Sequence, residues 1–174
     1  VLYCRIEEVG GCSWEGASRF VTFQGNYIRN AGTVAIGNIR SRDASFDALP
    51  SGQHIVAHNT FEQEMVYGGC AIRTSAGSTP VIITGNVFVN LNTSAIEADG
   101  SADGGQLPAA NTIIMGNAID LTCSGGESRA RVGIAVSADD TIVSDNQITV
   151  RGEPDPRVTG ILLQEPACRV VLHD

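Results

Sequence analysis

Apolar and polar positions alternate in short runs along this chain, and each run closes on an asparagine. The clearest copy, Val81 to Phe88, reads V-I-I-T-G-N-V-F. Related copies read V-T-F-Q-G-N-Y-I from Val21, H-I-V-A-H-N-T-F from His54, T-I-I-M-G-N-A-I from Thr112 and T-I-V-S-D-N-Q-I from Thr141. The sixth place holds Asn26, Asn59, Asn86, Asn117 and Asn146, at intervals of 33, 27, 31 and 29 residues. An apolar residue stands three places before each asparagine (Phe23, Val56, Ile83, Ile114, Val143) and another two places after it (Ile28, Phe61, Phe88, Ile119, Ile148). Self-similarity at a period of about 20–50 residues marks a solenoid, whose repeats bury their apolar faces against their neighbours.

A third apolar segment follows in each repeat: Val34-Ala-Ile36, Cys70-Ala-Ile72, Ser94-Ala-Ile96, Ile134-Ala-Val136 and Ile161-Leu-Leu163. Alternation turns the outer two residues of each triplet to the core. The middle residues, Ala35, Ala71, Ala95, Ala135 and Leu162, then face outward. Three short strands per repeat, with an asparagine between the first two, predict a right-handed parallel β-helix. Asparagine tolerates the left-handed backbone conformation that so sharp a bend needs. Its amide can also hydrogen-bond from coil to coil. Gly25, Gly85 and Gly116, one place earlier, ease the same bend. The rival is the leucine-rich repeat, whose core L-x-L-x-x-N-x-L the pattern also fits. That architecture needs leucine throughout, and this chain has 8 leucines against 32 isoleucines and valines. A left-handed β-helix repeats every six residues or so, about a fifth of the period here.

The pattern resembles the pectate-lyase-like superfamily of right-handed β-helices, and the resemblance covers essentially the whole chain. It implies one all-β domain, 1–174, of about six coils and about 29 Å long at about 4.8 Å per coil. At the ends, Val1-Leu-Tyr-Cys4-Arg-Ile6 fits the template with Cys4 in the asparagine place, and the run from Arg169 fits it with Asp174 there. The expectation is an excerpt of a longer solenoid. In the superfamily's strand order the third segments form the first strand. Loops flank that strand, at 37–53 and 99–110 after it and at 123–131 and 151–159 before it. Long loops on a rigid scaffold are where sites gather.

Composition narrows the function classes. Charged residues are 17% against 43% hydrophobic, which opposes disorder. Net charge is −8 with no lysine and no basic run, so nucleic acid is not an expected partner. No apolar run reaches the length of a membrane span. Cys4, Cys12, Cys70, Cys123 and Cys168 show no C-x-x-C spacing, so zinc is unsupported. Buried or partly buried free thiols are expected for most of them, with a Cys4–Cys12 bridge as the alternative.

Candidate chemistry lies just past the third triplets. Outward residues there form an expected column of Gly37, Arg73, Glu97, Ser137 and Gln164. A second column follows two residues on: Ile39, Ser75, Asp99, Asp139 and Pro166. Like positions in a parallel stack lie about 4.8 Å apart, which brings Arg73 beside Glu97 with Asp99 and Asp139 near them. The resemblance implies polysaccharide or oligosaccharide chemistry on this face. Arg73 would be the base of a lyase, and Glu97, Asp99 and Asp139 the paired carboxylates of a hydrolase. Asp99 and Asp139 could instead hold calcium through oxygen ligands; no other cofactor is implied. Ser137, Gln164 and Asp103 join as substrate-binding residues. The plain alternative is a surface ion pair, worth roughly 0–1 kcal/mol.

The pectate-lyase W-x-D-H and the polygalacturonase N-T-D, G-H-G and R-I-K motifs do not occur. His54 and His58 read as structural, Glu62 and Glu64 as solvent-facing, and Trp14 as a lid on the core end or a sugar platform. An acidic surface repels polyanionic glycans unless calcium intervenes, and suits neutral ones better. The leading expectation is a protein acting on or binding a polysaccharide, outside the cell or at its surface. The competing one is a non-catalytic stalk or adhesin such as a phage tail-fibre segment, with an oligomeric, threefold packing surface.

Overall fold

The computed structural model describes residues 1–10, 12–16, 20–36, 53–63, 70–74, 80–99, 111–123, 130–153, 155–165 and 169–173. These residues are all-β, with strands in three series and no helix among them. The first series holds β3 (Val21–Gln24), β6 (His54–Ala57), β9 (Val81–Thr84), β12 (Thr112–Met115), β15 (Thr141–Ser144) and β18 (Val170–His173). The second series holds β1 (Arg5–Glu7), β4 (Tyr27–Arg29), β7 (Thr60–Glu62), β10 (Val87–Leu91), β13 (Ala118–Cys123) and β16 (Gln147–Gly152). The third holds β2 (Cys12–Gly16), β5 (Thr33–Ile36), β8 (Cys70–Thr74), β11 (Ser94–Ala98), β14 (Arg131–Val136) and β17 (Val158–Leu163).

Each series is one six-stranded sheet in which every strand pairs with the strand three places along the chain. The pairing is parallel. The result is a parallel β-solenoid, each coil giving one strand to each sheet.

Alternation makes the core. In β9, Val81 and Ile83 are buried while Ile82 and Thr84 are half-exposed. The register stacks Phe23, Val56, Ile83, Ile114 and Val143 into one inward column. It stacks Ile28, Phe61, Phe88, Ile119 and Ile148 into another. In that second column the rings of Phe61 and Phe88 lie 4.9 Å apart and 11° from parallel.

Between the first and second sheets the bend asparagines form a continuous ladder. Asn26 Nδ2 donates to Asn59 Oδ1 at 2.9 Å, Asn59 to Asn86 at 2.9 Å, Asn86 to Asn117 at 3.0 Å and Asn117 to Asn146 at 2.8 Å. Each receiving oxygen also accepts the backbone N–H of the preceding asparagine, at 2.9 to 3.1 Å. Cys4, in the asparagine place of the opening coil, donates its own N–H to Asn26 Oδ1 at 2.9 Å. Its thiol has no amide with which to continue the ladder.

The backbone of the bend differs from the expectation. The left-handed residue is the one before each asparagine, not the asparagine itself: Gly25, His58, Gly85, Gly116 and Asp145, with φ from 53° to 67°. The reason is a division of labour. Glycine carries no left-handed penalty, and Asp145 is of a type that tolerates it. The asparagine is freed to hold its amide toward the neighbouring coil. His58 is the costly member of the series, and its ring lies where a Cβ on Gly85 would fall.

Two further expectations change. Cys4 and Cys12 are free thiols, as expected, and no bridge joins them, but both are exposed rather than buried. Ala71 and Ala95 are not an exposed floor: both are fully buried and belong to the core cluster. A methyl group is small enough for its neighbours to cover without strict alternation. Glu64, Asp103 and Asp174 lie outside the described residues, as does the Trp14 side chain.

His54 is buried on the inward side of β6, between Val21 and Val81, and its Nδ1 has no hydrogen-bond partner. Burial lowers its pKa from the ordinary value. The unfolded chain therefore binds this proton more readily than the folded one. Stability is fully present above the unfolded histidine pKa of about 6.5 and falls as pH drops through the lower folded value. A urea midpoint followed between about pH 7 and pH 5 should decline in the native chain. His54→Val, which matches its column neighbours, should flatten that decline; equal slopes would remove His54 as its source.

Candidate functional site

The third sheet is built from short triplets whose inward residues, Ile72, Ile96 and Ile134, pin the strands to the core. Arg73 and Glu97 follow Ile72 and Ile96 and therefore project outward as cross-strand partners. Arg73 Nε donates to Glu97 Oε2 at 3.0 Å and Nη2 donates to the same oxygen at 2.6 Å. The Arg73 side chain is 44% exposed and that of Glu97 24%.

The rest of the expected column is displaced. Arg73 stands level with Ala35, and Glu97 with Ala135, which itself stands level with Leu162. Ser137 and Gln164 belong two residues further on. Ser137 follows Val136, the partner of Ala98, so it comes beside Asp99. Its N–H donates to Ala98 O at 2.9 Å and its hydroxyl reaches Asp99 Oδ1 at 3.5 Å. Gln164 follows Leu163, the partner of Val136, and comes beside Ser137, with its N–H on Val136 O at 2.8 Å. Asp139 is two residues beyond Ser137, outside the column of Asp99, and its carbonyl accepts the N–H of Asn111 at 3.2 Å. A slip of two residues preserves inside and outside, so it leaves no mark on the apolar pattern. Gly37, Ile39, Ser75 and Pro166 lie outside the described residues.

Cys70 faces the core, as its place in the triplet predicts, and also neighbours the site. It is fully buried, and burial together with the adjacent Glu97 carboxylate pushes its thiol far up, so it stays protonated. Such a thiol is neither nucleophile nor metal ligand. Glu97 thus lies between a protonated thiol and a guanidinium. For Arg73, partial burial works against the charge, yet the Glu97 and Asp99 carboxylates hold the pKa above its ordinary value. Only the third-strand triplet C-A-I hinted at Cys70, and S-A-I in the next coil gave no reason to single it out.

Calcium at Asp99 and Asp139 would need further oxygen donors. Calcium takes about six to eight oxygens. Among the described residues no three His, Cys, Asp or Glu side chains gather as a metal site, and Asp99 and Asp139 are not cross-strand neighbours. The arrangement can present charged hydrogen-bond donors and acceptors in a row across adjacent strands. Comparison with known proteins gives no match to a family model, a curated protein or a solved structure.

Proposed function

We propose that this protein binds a polysaccharide across the outer face of its third sheet, at the cell surface or outside the cell, in the manner of pectate-lyase-like β-helices. The observation that carries this reading is the register. It sets the Arg73–Glu97 pair on β8 and β11, with Asp99, Ser137 and Gln164 one step further along the same face. Rows of charged and hydroxyl groups spaced by strands match the repeating hydroxyls of an extended glycan. The net charge of −8 favours a neutral glycan over a uronate polymer. Binding fits better than base catalysis, because a guanidinium held charged by Glu97 cannot accept a proton. Glu97 on β11 and Asp99 just past its end would supply the carboxylate pair of a hydrolase reading.

The test is a panel of neutral and acidic glycans against the native chain, Arg73→Ala and Glu97→Gln. Hydrogen bonds to charged groups are worth about 1.5–3 kcal/mol, so each variant should lose on the order of ten-fold or more in affinity. Thermal unfolding should hardly move, because an exposed ion pair contributes at most about 1 kcal/mol. Undiminished binding by both variants removes the site. A second reading, the non-catalytic stalk, is favoured by the aliphatic outer face of the first sheet.

A further inference from the structure

The outward positions of the first sheet form an aliphatic ladder. The register stacks Thr22, Ile55, Ile82, Ile113, Ile142 and Val171 in one column on the solvent side. Ile55, Ile82 and Ile113 are half-exposed, and exposure rises to 41% at Ile142 and 57% at Val171. The second outward column reads Gln24, Ala57, Thr84, Met115, Ser144 and His173, with Met115 42% exposed. Neither column holds an acid, in a chain of net charge −8. Asp140 and Asp145 flank β15, and Asp140 is engaged by Arg169. The other two outer faces are charged. The second sheet carries the Arg5–Glu7 and Asp120–Arg151 pairs, and the third carries Arg73–Glu97.

From this placement we infer that the outer face of the first sheet is a self-association surface that takes a second copy of this chain. Two copies this acidic repel one another wherever their charged faces meet. Among the described residues, the outward columns of the first sheet are where they approach without opposing carboxylates. The copies also share one spacing: rungs at about 4.8 Å on each interleave with rungs at the same interval on the other. Identical patches meeting about a twofold axis make a closed, isologous pair. Six strands of about four residues give a face of roughly 29 by 13 Å, or about 400 Å². That is half of the about 800 Å² per partner in a standard stable complex, so the pair is weak and concentration-dependent. Glycan binding is not needed for this pairing, because the third sheet stays free.

Sedimentation equilibrium of the whole chain over a wide concentration range tests it. The average mass should climb from the 18.2 kDa of one chain toward twice that value. Ile113→Lys and Ile113→Glu, each near the middle of the ladder, should stay monomeric at concentrations where the native chain pairs. An equimolar mixture of the two should regain the higher mass, because opposite charges then replace like charges across the pair. Gln147→Lys, on the exposed face of the second sheet, should pair like the native chain. The pair Ile82→Lys and Ile82→Glu repeats the design if either Ile113 variant loses its β-sheet circular dichroism. A native chain that stays monomeric throughout overturns the inference. So does mass rising past two chains, single variants that pair normally, a mixture that does not recover, or a Gln147→Lys variant that fails to pair.

Discussion

Asn86→Leu should lower the unfolding free energy by roughly 2–6 kcal/mol, read as a drop in urea midpoint at unchanged slope. Asn86 is fully buried at the centre of the ladder. Its Nδ2 donates to Asn117 Oδ1 and Val56 O, each at 3.0 Å. Its Oδ1 accepts from the Asn59 N–H at 3.0 Å and Asn59 Nδ2 at 2.9 Å. Leucine has the volume but no polar atom, so water does not enter to compensate. The Asn59 N–H and the Val56 carbonyl each lose this partner, at about 1–3 kcal/mol per buried group.

Asn86→Asp supplies a second signature. A buried carboxylate there faces Asn117 Oδ1, another acceptor, and both burial and that contact raise its folded pKa. The variant should therefore be more stable at low pH and lose stability as pH rises past about 4. Asn146→Leu should cost less, because Asn146 is only half-buried. Equal losses at Asn86 and Asn146 would remove burial as the deciding factor.

Phe88→Ala should cost about 3–5 kcal/mol. Phe88 is the middle member of the inward column on the second sheet, with Phe61 before it and Ile119 after it. Neither neighbour can collapse into the gap, because each is pinned by the ladder pairing of its own strand. The stacked Phe61–Phe88 contact adds about 0.5–1.5 kcal/mol beyond the area it covers. A double-mutant cycle with Phe61→Leu and Phe88→Leu isolates that share. Ile148→Ala, in the partly buried last member of the same column, should fall well below Phe88→Ala. A Phe88→Ala loss under about 1 kcal/mol would mean that the column repacks, contrary to the close-packed core described above.

Much of the architecture could be read from residues alone because one requirement acts at every coil. A buried amide needs two partners along the stack, so asparagine recurs at the same place beside Val56, Ile83 and Ile114. The left-handed residue was in view too. Glycine before Asn26, Asn86 and Asn117 marks the preceding position as the special one, and His58 and Asp145 obscured it. The third sheet was less legible. Ser94-Ala-Ile96 and Ile134-Ala-Val136 look interchangeable, yet Ile96, not Ser94, lies level with Ile134. Arg73 and Glu97 survived that ambiguity because Cys70-Ala-Ile72 and Ser94-Ala-Ile96 happen to be in step. Ser137 and Gln164 did not. Cys70 escaped because its partner, the Glu97 carboxylate, comes from another coil.

The file of amides also has a direction: each amide from Asn26 to Asn117 donates a hydrogen bond to the next asparagine later in the chain. Growth or shrinkage by a complete turn leaves that relay intact, since the new amide takes and gives in the same sense. An insertion of one residue between Val81 and Asn86 breaks it, because the amide then swings away from its file. Length can therefore drift freely in the long connections, as the unequal spacings already display, and not at all within the six residues that lead into each corner.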